Sequence, residues 1–311
     1  MKSRCVYMDR DFWSNASKDK RVLRDMDRLL TRNEIRTNIS KEELLNDDFL
    51  VQLCQDGGAR FFHDDKIPND NSIKEKEFLT SSMCLSNNLE EKSAERYGFL
   101  AFNNDSLKKH SFIFDSDTIW ISEEKKYENG WKDVCTNYKG KNPLCNAMII
   151  NDKFICKGVD SEGITEDLKT LLDALLPEGP QELPFHLSIF CKIDNKDKGN
   201  KVYKGLNKFI AEIRPHLNLL LSLYTCSDVH DRFVLTNSYI MEVGAGFNLF
   251  KNGKADNGSS MYYYYPLVNG NNETFIGKLK QVEKVHRSAY QKENFRNFWG
   301  EKKNRLFDIL N

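Results

Sequence analysis

The sequence predicts an α/β protein: a mixed sheet flanked by helices in the C-terminal half, preceded by an α+β region. Two apolar runs carry most of this, Phe185 to Ile193 (FHLSIFCKI) and Leu219 to Tyr224 (LLLSLY). Near-continuous apolar strands of this kind are buried on both faces, as in sheets covered by helices. Helical patterns alternate with them, the order that builds a layered α/β domain. The chain has 311 residues, 40% of them hydrophobic. That is enough for a sizeable core and for one large domain or two modest ones. The expected division is an N-terminal region over 1–160 and a C-terminal domain over 161–311.

Taken in order, Cys5-Val6-Tyr7-Met8 reads as a short strand. Val22, Leu23, Met26, Leu29 and Leu30 have helical spacing. Ser40 followed by Glu43 is a capping-box pattern, predicting a helix that buries Leu44, Leu45, Phe49, Leu50 and Leu53 and stops at Gly57-Gly58. Phe112 to Phe114 and Thr118 to Ile121 read as strands around an Asp-Ser-Asp turn. Ala147 to Ile150 and Lys153 to Cys156 read as a hairpin over Asn151-Asp152. Thr165 caps a helix with the core-facing stripe Leu168, Leu171, Leu172, Leu175 and Leu176. After the first long strand, Val202, Leu206, Phe209, Ile210 and Ile213 line one face of a second helix. His230 to Val243 reads as one extended run closed by Gly244-Ala245-Gly246. Tyr262 to Tyr265 reads as a strand buried on both faces, or as a base-stacking platform.

Composition narrows the function classes. No apolar run reaches the roughly eighteen residues a membrane span requires, and Met1 to Cys5 lacks the apolar segment of a signal peptide. A cytoplasmic protein is expected. The eight cysteines contain no Cys-x-x-Cys pair and no zinc pattern, so reduced, mostly buried thiols are expected, with no metal and no cofactor. Net charge is zero, against a globally basic nucleic-acid binder. Locally, Lys278 to Arg305 holds nine basic residues against three acidic. Lys284, Arg287, Lys292 and Arg296, interleaved with Tyr290, Phe295, Phe298 and Trp299, are candidate nucleic-acid contacts. The plainer reading is terminal helices with aromatics inward and lysines outward. Asp9, Asp11, Asp115 and Asp117 fall at strand ends, where carboxylates can hold Mg²⁺ as in PIN-like nucleases or simply cap turns.

The stretch His230 to Phe250 (HDRFVLTNSYIMEVGAGFNLF) carries the chemistry. On a strand His230 and Arg232 share a face. A guanidinium grips two phosphate oxygens, while an imidazole attacks phosphorus or moves a proton. Gly244 and Gly246 allow close backbone approach. Glu242, of the same parity, is a substitute carboxylate or the ion-pair partner of Arg232.

This stretch resembles one half of the phospholipase D superfamily motif, His-x-Lys, four residues, Asp, six residues, Gly-Ser-x-Asn. Arg232 stands at the Lys position, Asn237 at the Asp position and Gly244 at the Gly position; Ala245 and Phe247 replace Ser and Asn. It is also similar to the phospholipase-D-like domain of eukaryotic proteins with a microtubule-interacting and trafficking domain, which bind phosphoinositide membranes. The resemblance covers about residues 165–250. It implies a phosphodiester-handling protein: a metal-independent nuclease or nuclease-like subunit acting on DNA or RNA, in a defence role against foreign DNA. His230, Arg232 and Asn237 would be catalytic, and Arg232, Gly244 and Gly246 would bind phosphate. Active members pair two His motifs, so a single-motif chain implies a homodimer. The alternative is a non-catalytic phosphate-ligand or protein-binding module, or a scaffold subunit with partner proteins.

Overall fold

The computed structural model describes residues 5–75, 82–114, 117–136, 144–226, 231–268, 271–289 and 298–310. Two sheets organise the α/β fold.

The N-terminal sheet is all parallel. Strand β1 (Cys5–Met8) is followed by α1 (Arg10–Ala16), α2 (Lys20–Leu30), β2 (Glu34–Thr37), α3 (Lys41–Leu45), α4 (Asp48–Gln55), β3 (Arg60–His63), β4 (Ser82–Leu85), α5 (Ser93–Tyr97), β5 (Ala101–Phe102) and α6 (Asn104–Lys109). The strand order is β3-β2-β1-β4-β5. Side-chain caps start the first four helices: Asp9 accepts from Asp11 N–H, Asp19 from Arg21 N–H, Ser40 from Glu43 N–H and Asp47 from Leu50 N–H. The Ser40/Glu43 capping box forms as expected. The helix after it breaks at Asn46, because Asp47 caps a second one, and Leu45 is left 66% exposed rather than buried. Phe112 to Phe114 also departs from expectation, lying in a 3-10 turn over Ser111–Phe114 instead of a strand.

The larger sheet is mixed and eight-stranded. It draws on β6 (Asp117–Ile121), β7 (Ala147–Asn151), β8 (Phe185–Cys191), β9 (Leu219–Thr225), β10 (Phe233–Thr236), β11 (Ile240–Val243), β14 (Ser259–Tyr264) and β15 (Phe298–Gly300). A small ribbon, β12 (Phe250–Lys251) with β13 (Lys254–Ala255), stands apart. The large-sheet order is β15-β9-β8-β7-β10-β11-β14-β6. Strands β7, β8 and β9 are parallel and the other pairings are antiparallel. Strands β6 and β7 precede residue 160, so this sheet takes strands from both sides of the expected division.

Helices cover both faces. Met148, Ile150, Leu187 and Ile189 face a core that includes α7 (Trp131–Thr136), α8 (Glu166–Leu175) and α9 (Lys196–Ile213), and continues into the N-terminal sheet. Ala147, Ile149, Phe233 and Leu235 face α10 (Asn272–Ser288) and the 3-10 turn Arg305–Leu310. This two-sided burial is the physical reason for the unbroken apolar runs. Thr165 caps α8 through Leu168 N–H, and Asn195 caps α9 through Lys198 N–H.

Within the expected extended run, the described residues form two strands, Phe233–Thr236 and Ile240–Val243, rather than one. Thr236 Oγ1 accepts from Ser238 N–H at 3.1 Å and Tyr239 N–H at 2.8 Å, closing a tight turn between β10 and β11. The expected hairpin at Asn151-Asp152 is likewise absent: β7 ends there and Lys153 to Gly158 turns away. Tyr262 to Tyr265 is not buried throughout, since Tyr262 is 48% exposed.

Candidate phosphate site at the strand ends

The parallel strands β7, β8 and β9 end on one edge of the large sheet. Ligands of open α/β sheets gather at this kind of edge. Strand β10 runs antiparallel to β7, with Phe233 opposite Asn151, so Arg232 enters the fold at the same edge. Asn151 Nδ2 donates to Asp231 O at 2.7 Å and holds the strand start in place.

Asp152 follows directly. Its side chain is buried, and its Oδ1 accepts from Phe154 N–H at 2.7 Å, turning the chain back. Its Oδ2 accepts from Phe247 N–H at 2.6 Å, which ties in the loop after β11. Arg232 lies against both. Its Nη1 donates to Gly244 O at 2.8 Å. Burial pushes the Asp152 carboxyl above the usual carboxylate range, while the two amides and the Arg232 charge pull the other way.

Gly246 is fixed by this packing. It sits at φ +90°, and a Cβ there would stand 2.7 Å from Arg232 Cδ and 2.8 Å from Asp152 Oδ2. The structure therefore brings Arg232, Gly244 and Gly246 together. The loop offers no amide cradle, however. Gly244 N–H donates to Ser260 O, Ala245 N–H to Ser259 Oγ, Gly246 N–H to Val243 O and Phe247 N–H to Asp152. Any anion at this edge meets the guanidinium rather than the glycine backbone.

Other expected members fall elsewhere. Asn237 lies at the far end of β10, buried, with Oδ1 accepting from Asn146 N–H at 2.9 Å and Ala147 N–H at 3.2 Å. Its Nδ2 donates to Gly98 O at 3.0 Å. These bonds join the large sheet to the N-terminal region, so Asn237 does not position anything beside Arg232. Glu242 pairs with Lys278 at 2.8 Å and accepts from Tyr264 O–H at 2.6 Å, so it is not the partner of Arg232. His230, Lys292, Arg296 and Asp115 lie outside the described residues. Lys284 and Arg287 are exposed on α10, where Arg287 pairs with Glu283. Phe307 and Trp299 pack inward, but from the 3-10 turn Arg305–Leu310 and from strand β15 rather than from helices, and Tyr290 and Phe295 lie outside the described residues.

The described histidines serve other places. His186 accepts from Arg305 N–H at the opposite edge, and burial lowers it to about 4. His286 bonds Tyr224 O–H at 2.8 Å and stacks on Phe307, and burial lowers it also to about 4. His63 and His110 belong to the N-terminal region, and His216 follows α9 on the edge where β8 begins. Among the described residues, no group of three His, Cys, Asp or Glu side chains is placed to hold a metal. Asp9 shows why: its carboxylate meets Ser86 Oγ at 2.9 Å, Asn88 Nδ2 and Asn38 Nδ2 rather than further acids. Asp117 belongs to the edge strand of the other sheet.

Sequence reasoning missed Asp152 and its companion Asp167. Asp167, in the first turn of α8, accepts from Phe250 N–H at 3.1 Å. Burial pushes its carboxyl up to about 7, with the nearby Glu166 and Asp152 charges adding to the rise. Two buried carboxylates thus pin the segment 247–250. A carboxyl raised in the folded state favours folding at low pH, and that contribution is lost as pH rises through about 7. Asp167→Asn is therefore expected to gain stability relative to wild type between about pH 4 and pH 8. The limiting slope is about 1.4 kcal/mol per pH unit, read from urea unfolding at each pH. Parallel pH profiles for the two proteins would contradict it.

No family model matches the chain, and no curated protein is similar to it. Among solved structures the chain is similar to TrmBL2, an archaeal chromatin protein described as showing a novel mode of DNA binding. The identity is 8% over 59% of each chain, with a TM-score of 0.27. At that score the likeness supports neither a fold nor a function. No helix among the described residues is long and apolar enough to cross a membrane.

Proposed function

We propose that the chain is a non-catalytic module that binds a phosphate-bearing ligand, with Arg232 as the clamp. One observation carries the reading: Arg232 is half-buried at the strand-end edge, anchored through Nη1 to Gly244 O and set against the Asp152 carboxylate. Among the described residues its other guanidinium N–H groups make no hydrogen bond. A prepositioned guanidinium with donors to spare suits phosphate oxygens, because little side-chain freedom is lost on binding. The non-catalytic half of the reading is supported by Asn237, which bonds at the opposite edge, and by His186 and His286, which are engaged elsewhere. Phosphohistidine chemistry needs a nucleophile and a separate proton donor.

The test is fluorescence anisotropy with an end-labelled abasic phosphodiester strand, which offers phosphates and no bases. Arg232→Gln is expected to weaken binding roughly tenfold and to flatten the logarithmic salt dependence by about 0.7. Unchanged affinity and unchanged salt slope would overturn the clamp.

A further inference from the structure

We infer that the ligand is single-stranded nucleic acid, with a base stacked on Phe154 while its backbone phosphates lie against Lys153, Lys157, Lys192 and Arg232. The inference rests on the phosphate-binding reading of Arg232 and names the ligand class for that edge.

Phe154 is 39% exposed, although its backbone is fixed by the bond to Asp152 Oδ1. The same carboxylate packs beside Arg232, so ring and guanidinium share one anchor. The ammonium groups of Lys153 and Lys157 each stand 5.8 Å from the ring centroid. Lys192 is exposed just past β8, and its N–H donates to Lys153 O at 3.0 Å. Among the described residues none of these three lysines has a carboxylate partner. Of the acids nearby, Asp160 is paired with Lys169 and Asp194 with Lys198, while Asp231 keeps its charge and accepts from Gln281. Among the described residues, Lys153, Lys157, Lys192 and Arg232 therefore outnumber the unpaired acids Asp152 and Asp231 around the exposed Phe154 ring.

That combination matches how single strands are held: cations track the backbone while an aromatic ring takes the flat face of a base. A free phosphate would gain nothing from the ring. A duplex keeps its base faces inside the stack and out of its reach. A bilayer is normally gripped by a wider apolar face than one phenylalanine provides.

Four probes separate the alternatives by anisotropy or co-sedimentation: an oligodeoxythymidine strand of about twelve nucleotides, an abasic strand of equal length, a duplex, and phosphatidylserine vesicles. Phe154→Ala is expected to bind the base-bearing strand roughly tenfold more weakly and the abasic strand as wild type does. Phe154→Trp, which keeps a stacking face, restores the affinity, and thermal unfolding of both variants checks that they fold. Arg232→Gln weakens both strands. If Phe154→Ala binds the base-bearing strand like wild type while Arg232→Gln still weakens the abasic strand, stacking is overturned and the phosphate clamp stands. If Arg232→Gln leaves both strands unaffected, the clamp fails, and with it the arrangement inferred here. Tighter binding of duplex than of single strand overturns the inference. So does vesicle binding lost in Phe154→Ala without strand binding, which would make the ligand a membrane.

Discussion

Replacing Asp152 by alanine is expected to remove about 3–4 kcal/mol of folding stability. The carboxylate is 1% exposed and is the acceptor for Phe154 N–H and Phe247 N–H, at 2.7 and 2.6 Å. Its loss orphans two amides and leaves Arg232 without its neighbouring charge. Each orphaned buried donor costs about 1–3 kcal/mol, with water entry reducing the sum. Asparagine at this position keeps one acceptor oxygen and should recover roughly half of the loss. Urea unfolding of the three proteins measures this directly. A loss below about 1 kcal/mol in the alanine variant would mean that the carboxylate does not organise the edge.

Asn237→Ala is expected to cost about 3 kcal/mol, for a different reason. Asn237 accepts from two backbone amides of the β7 strand start and donates to Gly98 O, all buried. Asn146 Nδ2 reinforces the same join by donating to Tyr97 O at 2.6 Å. The alanine variant should therefore melt earlier, with the N-terminal region loosened from the large sheet. Under conditions where it remains folded, its affinity for a phosphodiester strand should equal that of wild type. A variant of normal stability with lost binding would return Asn237 to the site expected from its sequence position.

The α/β class was legible because two-sided burial writes itself into the sequence as unbroken apolar runs, and β8 and β9 fall where those runs are. The helix before β8 and the helix between β8 and β9 were legible from their apolar stripes, the first also from its Thr165 cap. The five-stranded parallel sheet was less so. Strands β2 and β3, EIRT and RFFH, are four residues long and carry too few apolar positions to register as a period. The turn at Asn237 was hidden inside an apolar segment, although Thr-Asn-Ser is a turn-forming sequence and its threonine hydroxyl closes the turn. Once that turn exists, strand parity no longer relates Arg232 to Glu242. The motif spacing placed Arg232, Gly244 and Gly246 together because a short antiparallel pair returns its two ends to one edge. Asn237, at the middle of the same spacing, must then fall at the opposite end. Asp152 was passed over because Asn-Asp after an apolar run also fits a hairpin turn. Its position at the end of a strand parallel to its neighbour was the signal that mattered.

The measurement that bears most directly on the central claim is a gel assay of wild-type protein with end-labelled single- and double-stranded DNA and RNA, in EDTA and in Mg²⁺, run with Arg232→Gln alongside. A non-catalytic clamp predicts that wild type retards single strands and leaves them intact in both buffers, and that retardation is weakened in the variant. Cleavage of the strand by wild type in EDTA, lost in the variant, would contradict it and assign the edge to phosphodiester hydrolysis.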